Sequence, residues 1–265
     1  MAPERDPPIV KPAKTPTSDP AHSAAFIYLH GLGDDAEGVE SKHDLYTGRA
    51  ERKPTAKTDL GDQFQSAGKL PYMQWIFPNA LENHDAMQRA WYTPTPLSPF
   101  PSQRPELDDP EDENGLKQSV AYVESLVDDL VARGIPPNRI VIGGFSQGCA
   151  VTLLTGLISS KYAGKVAGVA GLMGYLPLTD QIQKMRSEAG LPEIVGEVPV
   201  LLARGNRNML VPKRYLTLAQ KKLVELGLEE SALEVYEYDG LGHTIHAPVI
   251  SDLCTWLEKV VPALE

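Results

Sequence analysis

Cysteine is almost missing from this chain. Cys149 and Cys254 are the only two, and a pair so far apart builds no disulfide framework of the small secreted kind, so free thiols in a reducing compartment, the cytoplasm, are expected. Basic residues are also in short supply: 25 Lys and Arg face 35 Asp and Glu, a formal net charge of -10. That balance excludes broad attraction to phosphate backbones, and no nucleic-acid partner is expected. Long apolar runs are lacking too. The longest mostly apolar one, VAGVAGLMGYLPL, is too short and too rich in glycine to span a bilayer, which leaves only transient membrane association open. The opening residues MAPERDPPIVKPAKTPTSDP carry no apolar core for a secretory signal, and Glu4 and Asp6 suit a mitochondrial presequence poorly. The six histidines offer an i, i+3 pair at His243 and His246 but no further ligand cluster, so neither a metal nor another cofactor is expected.

What is there describes one large α/β domain. Hydrophobic residues make up 42% of 265, enough for a substantial core. Residues 1–22 read as a disordered, proline-rich arm and residues 23–265 as the domain. From Ala24 onward, strand-like runs (AAFIYLH, MQWIFP, RIVIGG, KVAGVAGL, VPVLLA and ALEVYEY) alternate with helix-period segments at 116–132, 147–158, 212–226 and 248–260. That alternation predicts strands crossing over through helices into a mostly parallel, doubly wound sheet. Near-continuous apolar strands require cover on both faces. Two stretches break the pattern. Residues 41–69 are polar and read as a surface insertion with one short helix near 62–67, and residues 93–114 carry six prolines, which exclude regular helix or central strand. A loop of that length is more often functional than idle.

The chemistry centres on Gly144-Phe145-Ser146-Gln147-Gly148. A G-x-S-x-G run between a strand and a helix is a nucleophile elbow: the serine sits on a strained turn, and side chains at 144 and 148 would collide with neighbouring backbone. The turn lifts the hydroxyl out of the sheet, aims the helix N-terminus at the reacting carbonyl and offers the Gln147 N–H to an oxyanion. A chance serine in a glycine-rich turn is the plainer alternative. His30-Gly31-Leu32-Gly33-Asp34 follows an early strand, where a second oxyanion donor belongs, with the Leu32 N–H as candidate. His243 follows the last strand and precedes the last helix, the place of the general base in elbow enzymes, and the order of serine first and histidine last agrees. His246 competes but lacks that placement.

A serine and histidine of this kind need a third partner, ordinarily a carboxylate, after a later strand. There the chain reads RGNRNMLVP, with two amides.

LHGLGD, GGFSQG and GLGH in this order, with RAWY before the proline-rich loop and ENGLKQSVAYVESLVDD leading through GIPPNRIVIGGFSQG, resemble the acyl-protein thioesterase family, also described as phospholipase/carboxylesterase. The resemblance runs from about Ala24 to the C-terminus. It implies a compact α/β-hydrolase without a large cap domain, acting on thioesters or esters of acyl chains, with an acylated protein or small lipid ester as substrate. It also implies that Leu97 and Phe100 of the proline-rich loop help wall an acyl groove; the alternative is that they merely cover the core. Two departures stand out. Cys149 replaces a small glycine behind the elbow. The family pattern H-G-D-x-D-x-x-V-P becomes R-G-N-R-N-M-L-V-P, so the triad acid maps onto Asn208, and Arg204 and Asn206 depart as well. Three readings follow. Asn208 orients His243 in an attenuated hydrolase; or Asp239, Glu237 or Asp180 substitutes as the acid; or the chain is a non-catalytic binder of acyl chains or acylated proteins. A lysophospholipase or small-ester carboxylesterase is a further enzymatic reading. Oligomeric state stays open.

Overall fold

Strict alternation inside nearly every strand sets the architecture. The computed structural model describes residues 5–37, 60–104 and 108–264. Among them, a seven-stranded sheet is built from β1 (Ile9–Lys11), β2 (Ala24–Leu29), β3 (Met73–Phe77), β6 (Ile140–Phe145), β7 (Gly168–Leu172), β8 (Val200–Gly205) and β9 (Leu233–Tyr238). Its order is β1-β3-β2-β6-β7-β8-β9, and every pairing is parallel except that of β1 with β3. All six residues of β2 are buried, yet Ala25, Ile27 and Leu29 belong to one hydrophobic cluster and Ala24, Phe26 and Tyr28 to the other. A period-2 side-chain alternation therefore feeds two cores, one on each face.

Helices α2 (Glu113–Ala132), α3 (Gln147–Ile158), α4 (Ile182–Glu188) and α5 (Lys213–Glu225) cover one face, and α1 (Leu60–Ser66) and α6 (Ala247–Val260) the other. Every residue of α3 is buried, because this helix lies between the sheet and α2 and has no solvent side. Helix α2 starts where Asp112 accepts from the Gly115 N–H, an N-cap bond that satisfies a donor left free by the first turn.

The six expected strands and four expected long helices are present. The short helix predicted near 62–67 is α1, while the rest of the predicted insertion, up to residue 59, lies outside the described residues. One expectation is corrected: the arm read as disordered is laid along the sheet edge from Arg5 onward. Ile9–Lys11 pairs antiparallel with β3, Lys11 pairs with Asp62, and the Thr15 N–H donates to Pro71 O at 2.8 Å. Proline on both sides of IVK hides a three-residue strand in the sequence, although an edge strand tolerates those prolines. A hairpin of β4 (Leu81–Asn83) and β5 (Gln88–Ala90) is a second addition.

Candidate active site

Ser146 directly follows β6 in a conformation that few side chains adopt, φ 56° and ψ -114°. Its neighbours explain how the chain tolerates this. A Cβ on Gly144 would stand 2.5 Å from the Gly148 carbonyl, and one on Gly148 would stand 2.4 Å from Leu29 O and 2.6 Å from His30 O. Both glycines are therefore steric requirements of the elbow. Cys149, at the position where a glycine was expected, is accommodated differently: its Sγ would meet a Cβ on Gly171 at 2.8 Å and one on Gly174 at 2.7 Å. The thiol fills space left by two other glycines, and burial pushes its pKa up to about 12, so it stays a neutral packing group.

The structure brings Ser146, His243 and Asn208 together. His243 Nε2 lies 2.8 Å from Ser146 Oγ, and His243 Nδ1 lies 3.1 Å from Asn208 Oδ1. Asn208 is 1% exposed, and its amide has one favoured orientation. Oδ1 accepts from the N–H groups of Leu210 at 3.1 Å and Val211 at 3.0 Å, and Nδ2 faces Met173 O at 3.4 Å. A flipped amide would point its NH2 at two backbone donors. With the oxygen so fixed, His243 must carry its proton on Nδ1 and leave Nε2 as acceptor for the serine hydroxyl. Burial, with no opposing carboxylate, lowers the His243 pKa from its ordinary value to about 4.

The acid loop and the histidine loop are joined by backbone. A Cβ on Gly205 would meet Leu241 O at 2.2 Å, so the loops close only over a glycine. Arg207 N donates to Leu241 O at 2.9 Å. Asn206, the second amide of RGNRNMLVP, accepts from Gly240 N at 2.9 Å and donates to Asp239 at 2.8 Å. Arg204 is buried, with one Nη 3.2 Å from Glu237 and the other donating to Asn208 O at 3.3 Å. These contacts correct the idea of a substitute acid. Asp239 is engaged by Asn206, Glu237 by Arg204 and Lys213, Asp180 is exposed, and His243 Nδ1 bonds the amide.

The loop carrying Leu32 packs on the elbow: a Cβ on Gly31 would lie 3.3 Å from Ser146 Cβ and 3.1 Å from the Phe145 ring. Buried His30 is structural. It accepts from Ala80 N at Nε2 and bonds Gly31 O through Nδ1, which leaves it no part in proton transfer at Ser146. Gln147 opens α3, its side chain bridging Trp91 N at 2.7 Å and Tyr92 O at 2.7 Å.

A cavity of about 840 Å³ opens beside His243. Tyr28, Phe64, Phe145, Leu172, Ile245, Val249 and Ile250 supply apolar wall, and Asp34, Gln63 and His246 are polar. Leu97 and Phe100 are not among its walls. Leu97 packs on the core and Phe100 is 74% exposed, because Arg214 Nε holds Ser98 O at 2.6 Å and draws that loop toward α5. The sequence reading missed the wall from α1 and α6, although its signal was present in Ile245, Val249 and Ile250 directly after His243. Among the described residues, no group of three or more His, Cys, Asp and Glu is placed to hold a metal ion.

A model of the phospholipase/carboxylesterase family matches residues 55–261. The chain belongs to this family. Similar curated members are the acyl-protein thioesterase 1 of Yarrowia lipolytica, 30% identical over 90% of this chain and 92% of that protein, and that of Cryptococcus neoformans, 32% identical over 91% and 94%. Solved structures share the fold: Arabidopsis thaliana SOBER1 with a TM-score of 0.68 at 24% identity, covering 90% of this chain and 99% of that one. Zea mays acyl-protein thioesterase 2 has a TM-score of 0.68 at 22% identity, covering 96% and 98%. With its family's α/β-hydrolase sheet and elbow, the chain is an ester hydrolase by membership.

Proposed function

We propose that this protein is an attenuated serine hydrolase of acyl thioesters or esters, of the acyl-protein thioesterase type, in which Asn208 orients the base in place of an acid. The observation that carries this reading is the continuous path from Ser146 Oγ through His243 to an amide oxygen whose orientation two backbone N–H groups hold. Ser146 Oγ attacks the acyl carbonyl carbon while its proton passes to His243 Nε2. The N–H groups of Leu32 and Gln147 receive the oxyanion. Collapse expels the thiolate or alkoxide, which takes the proton from His243, and water activated by the same imidazole then releases the fatty acid and restores the serine.

Asn208 explains both why the site works and why it is slow. In a serine protease, Asp→Asn at this position costs about 10⁴ in kcat, largely because the imidazole adopts the wrong tautomer. Here the tautomer is right. What is missing is the charge that stabilises the imidazolium, and a charge-assisted bond exceeds a neutral one by about 1–2 kcal/mol, or roughly 5- to 30-fold in rate. The acyl chain fits the apolar cavity beside His243, whose size falls in the usual range for small-molecule sites. The names of the curated relatives support an acylated protein as the natural substrate. Two buried free thiols support a cytoplasmic setting, and no helix among the described residues is long and apolar enough to cross a membrane.

The amide also favours a second reading, an acyl-chain or acyl-protein binder that has lost turnover. Fluorophosphonate labelling beside Ser146→Ala and Asn208→Asp, followed by hydrolysis of a long-chain acyl thioester, separates the two. Labelling that needs Ser146, with slow turnover, is expected. An unlabelled parent beside a strongly labelled Asn208→Asp form would give the binder precedence.

A further inference from the structure

The residues before β2 grip the scaffold of the catalytic centre. Arg89, Trp91 and Tyr92, in and just after β5, bridge the two loops that present the oxyanion donors. On one side, Arg89 O accepts from Gly33 N at 2.9 Å, and the Trp91 indole donates to His30 O at 2.9 Å. On the other, Trp91 N donates to the Gln147 side chain, which donates to Tyr92 O. One short segment thus spans from the turn of Leu32 to the helix start of Gln147.

The arm holds that segment from outside. The Arg5 guanidinium lies 4.3 Å from the Tyr122 ring centroid and 5.6 Å from that of Trp91, and the two rings stack at 6.4 Å. Arg5 Nη1 donates to Asn79 O at 3.3 Å, and Asp6 pairs with Arg89. Asn79 donates to Pro7 O at 3.2 Å and accepts from Ala36 N at 2.9 Å, while the next residue, Ala80, donates to His30. A cation over two aromatic faces restrains both rings at once, whereas the exposed Asp6 pair contributes less.

We propose that Arg5, supported by Asp6, is a positioning residue: by fixing Trp91 it sets the spacing between the Leu32 and Gln147 N–H groups. This rests on the catalytic reading above. Oxyanion stabilisation depends steeply on donor placement, since a displacement of about 1 Å can cost about 10² in rate. The test compares the full chain with Arg5→Ala and Arg5→Lys, using a short-chain acyl thioester, active sites counted with a fluorophosphonate, and melting temperature recorded alongside. Arg5→Ala is expected to lower kcat per active site about tenfold with KM nearly unchanged, and Arg5→Lys to recover much of it, because an ammonium also binds aromatic faces. A lowered melting temperature with kcat unchanged would overturn the proposal, as would an effect on KM alone or a lysine form no better than alanine. Should Arg5→Ala fail to fold, Asp6→Asn reads the same clamp through its outer contact, with a drop in kcat of about twofold expected and no drop counting against it. A parent that neither labels nor turns over would sink the catalytic reading itself, a result distinct from turnover that ignores Arg5.

Discussion

The elbow and the acid loop approach the same imidazole from opposite sides, Ser146 at 2.8 Å and Asn208 at 3.1 Å, but they tolerate change very differently. Around Ser146 the constraint is steric and belongs to the backbone: added Cβ atoms at Gly144 and Gly148 would fall within 2.6 Å of neighbouring main-chain atoms. Around Asn208 the constraint is one acceptor aimed at Nδ1, and a carboxylate or a well-oriented amide can meet it. Asn206 and Asn208, which depart from the family pattern expected from the sequence, still join the acid loop to the histidine loop by hydrogen bonds. A geometric requirement is all-or-none, whereas an electrostatic one is graded.

Breaking the elbow should have the largest effect. Ser146→Ala is expected to reduce fluorophosphonate labelling and thioester hydrolysis to background. Gly148→Ala should lower kcat by about 10² or more even where the protein folds, because the new Cβ pushes on His30 O and with it on the Leu32 turn; unchanged kcat in a steady-state assay would break the steric half of the comparison. The acid loop should respond in both directions. Asn208→Asp is expected to raise kcat roughly 5- to 30-fold, toward the lower end because the new oxygen would face Met173 O where Nδ2 now lies. Asn208→Ala should lower kcat about tenfold, and it leaves the N–H groups of exposed Leu210 and buried Val211 without their acceptor, the buried one at about 1–3 kcal/mol of stability. Equal rates for the Asp, Asn and Ala forms would show that position 208 does not act on His243.

The pH profile gives the smallest but sharpest signal. The base form of His243 is the active one, and its pKa is lowered to about 4. Activity should therefore persist through pH 6 and 5 and fall only as pH drops through about 4. In Asn208→Asp a carboxylate beside Nδ1 stabilises the imidazolium, so the acid limb of kcat/KM should move to higher pH. An acid limb near 6.5 in the parent would mean that His243 is better solvated than its buried position implies.

Much of this is legible in the sequence alone. The strands, the long helices and the elbow follow from local pattern, because alternation, helical period and glycine sterics act over a few residues, whereas the missing carboxylate at position 208 follows from the family resemblance. The Ile9–Lys11 strand was not legible, since three residues between prolines carry no period. Its pairing with β3, and the seating of Arg5 on Trp91 and Tyr122, exist only once distant segments meet. The same holds for the cavity, which α1 and α6 wall in place of the proline-rich loop that carries Leu97 and Phe100. The sequence by itself determined that an amide stands where an acid was due. Only the tertiary structure decided that this amide presents its oxygen to His243, because that orientation is set by the N–H groups of Leu210 and Val211 and by Met173 O, partners that only the folded loops bring around one buried side chain.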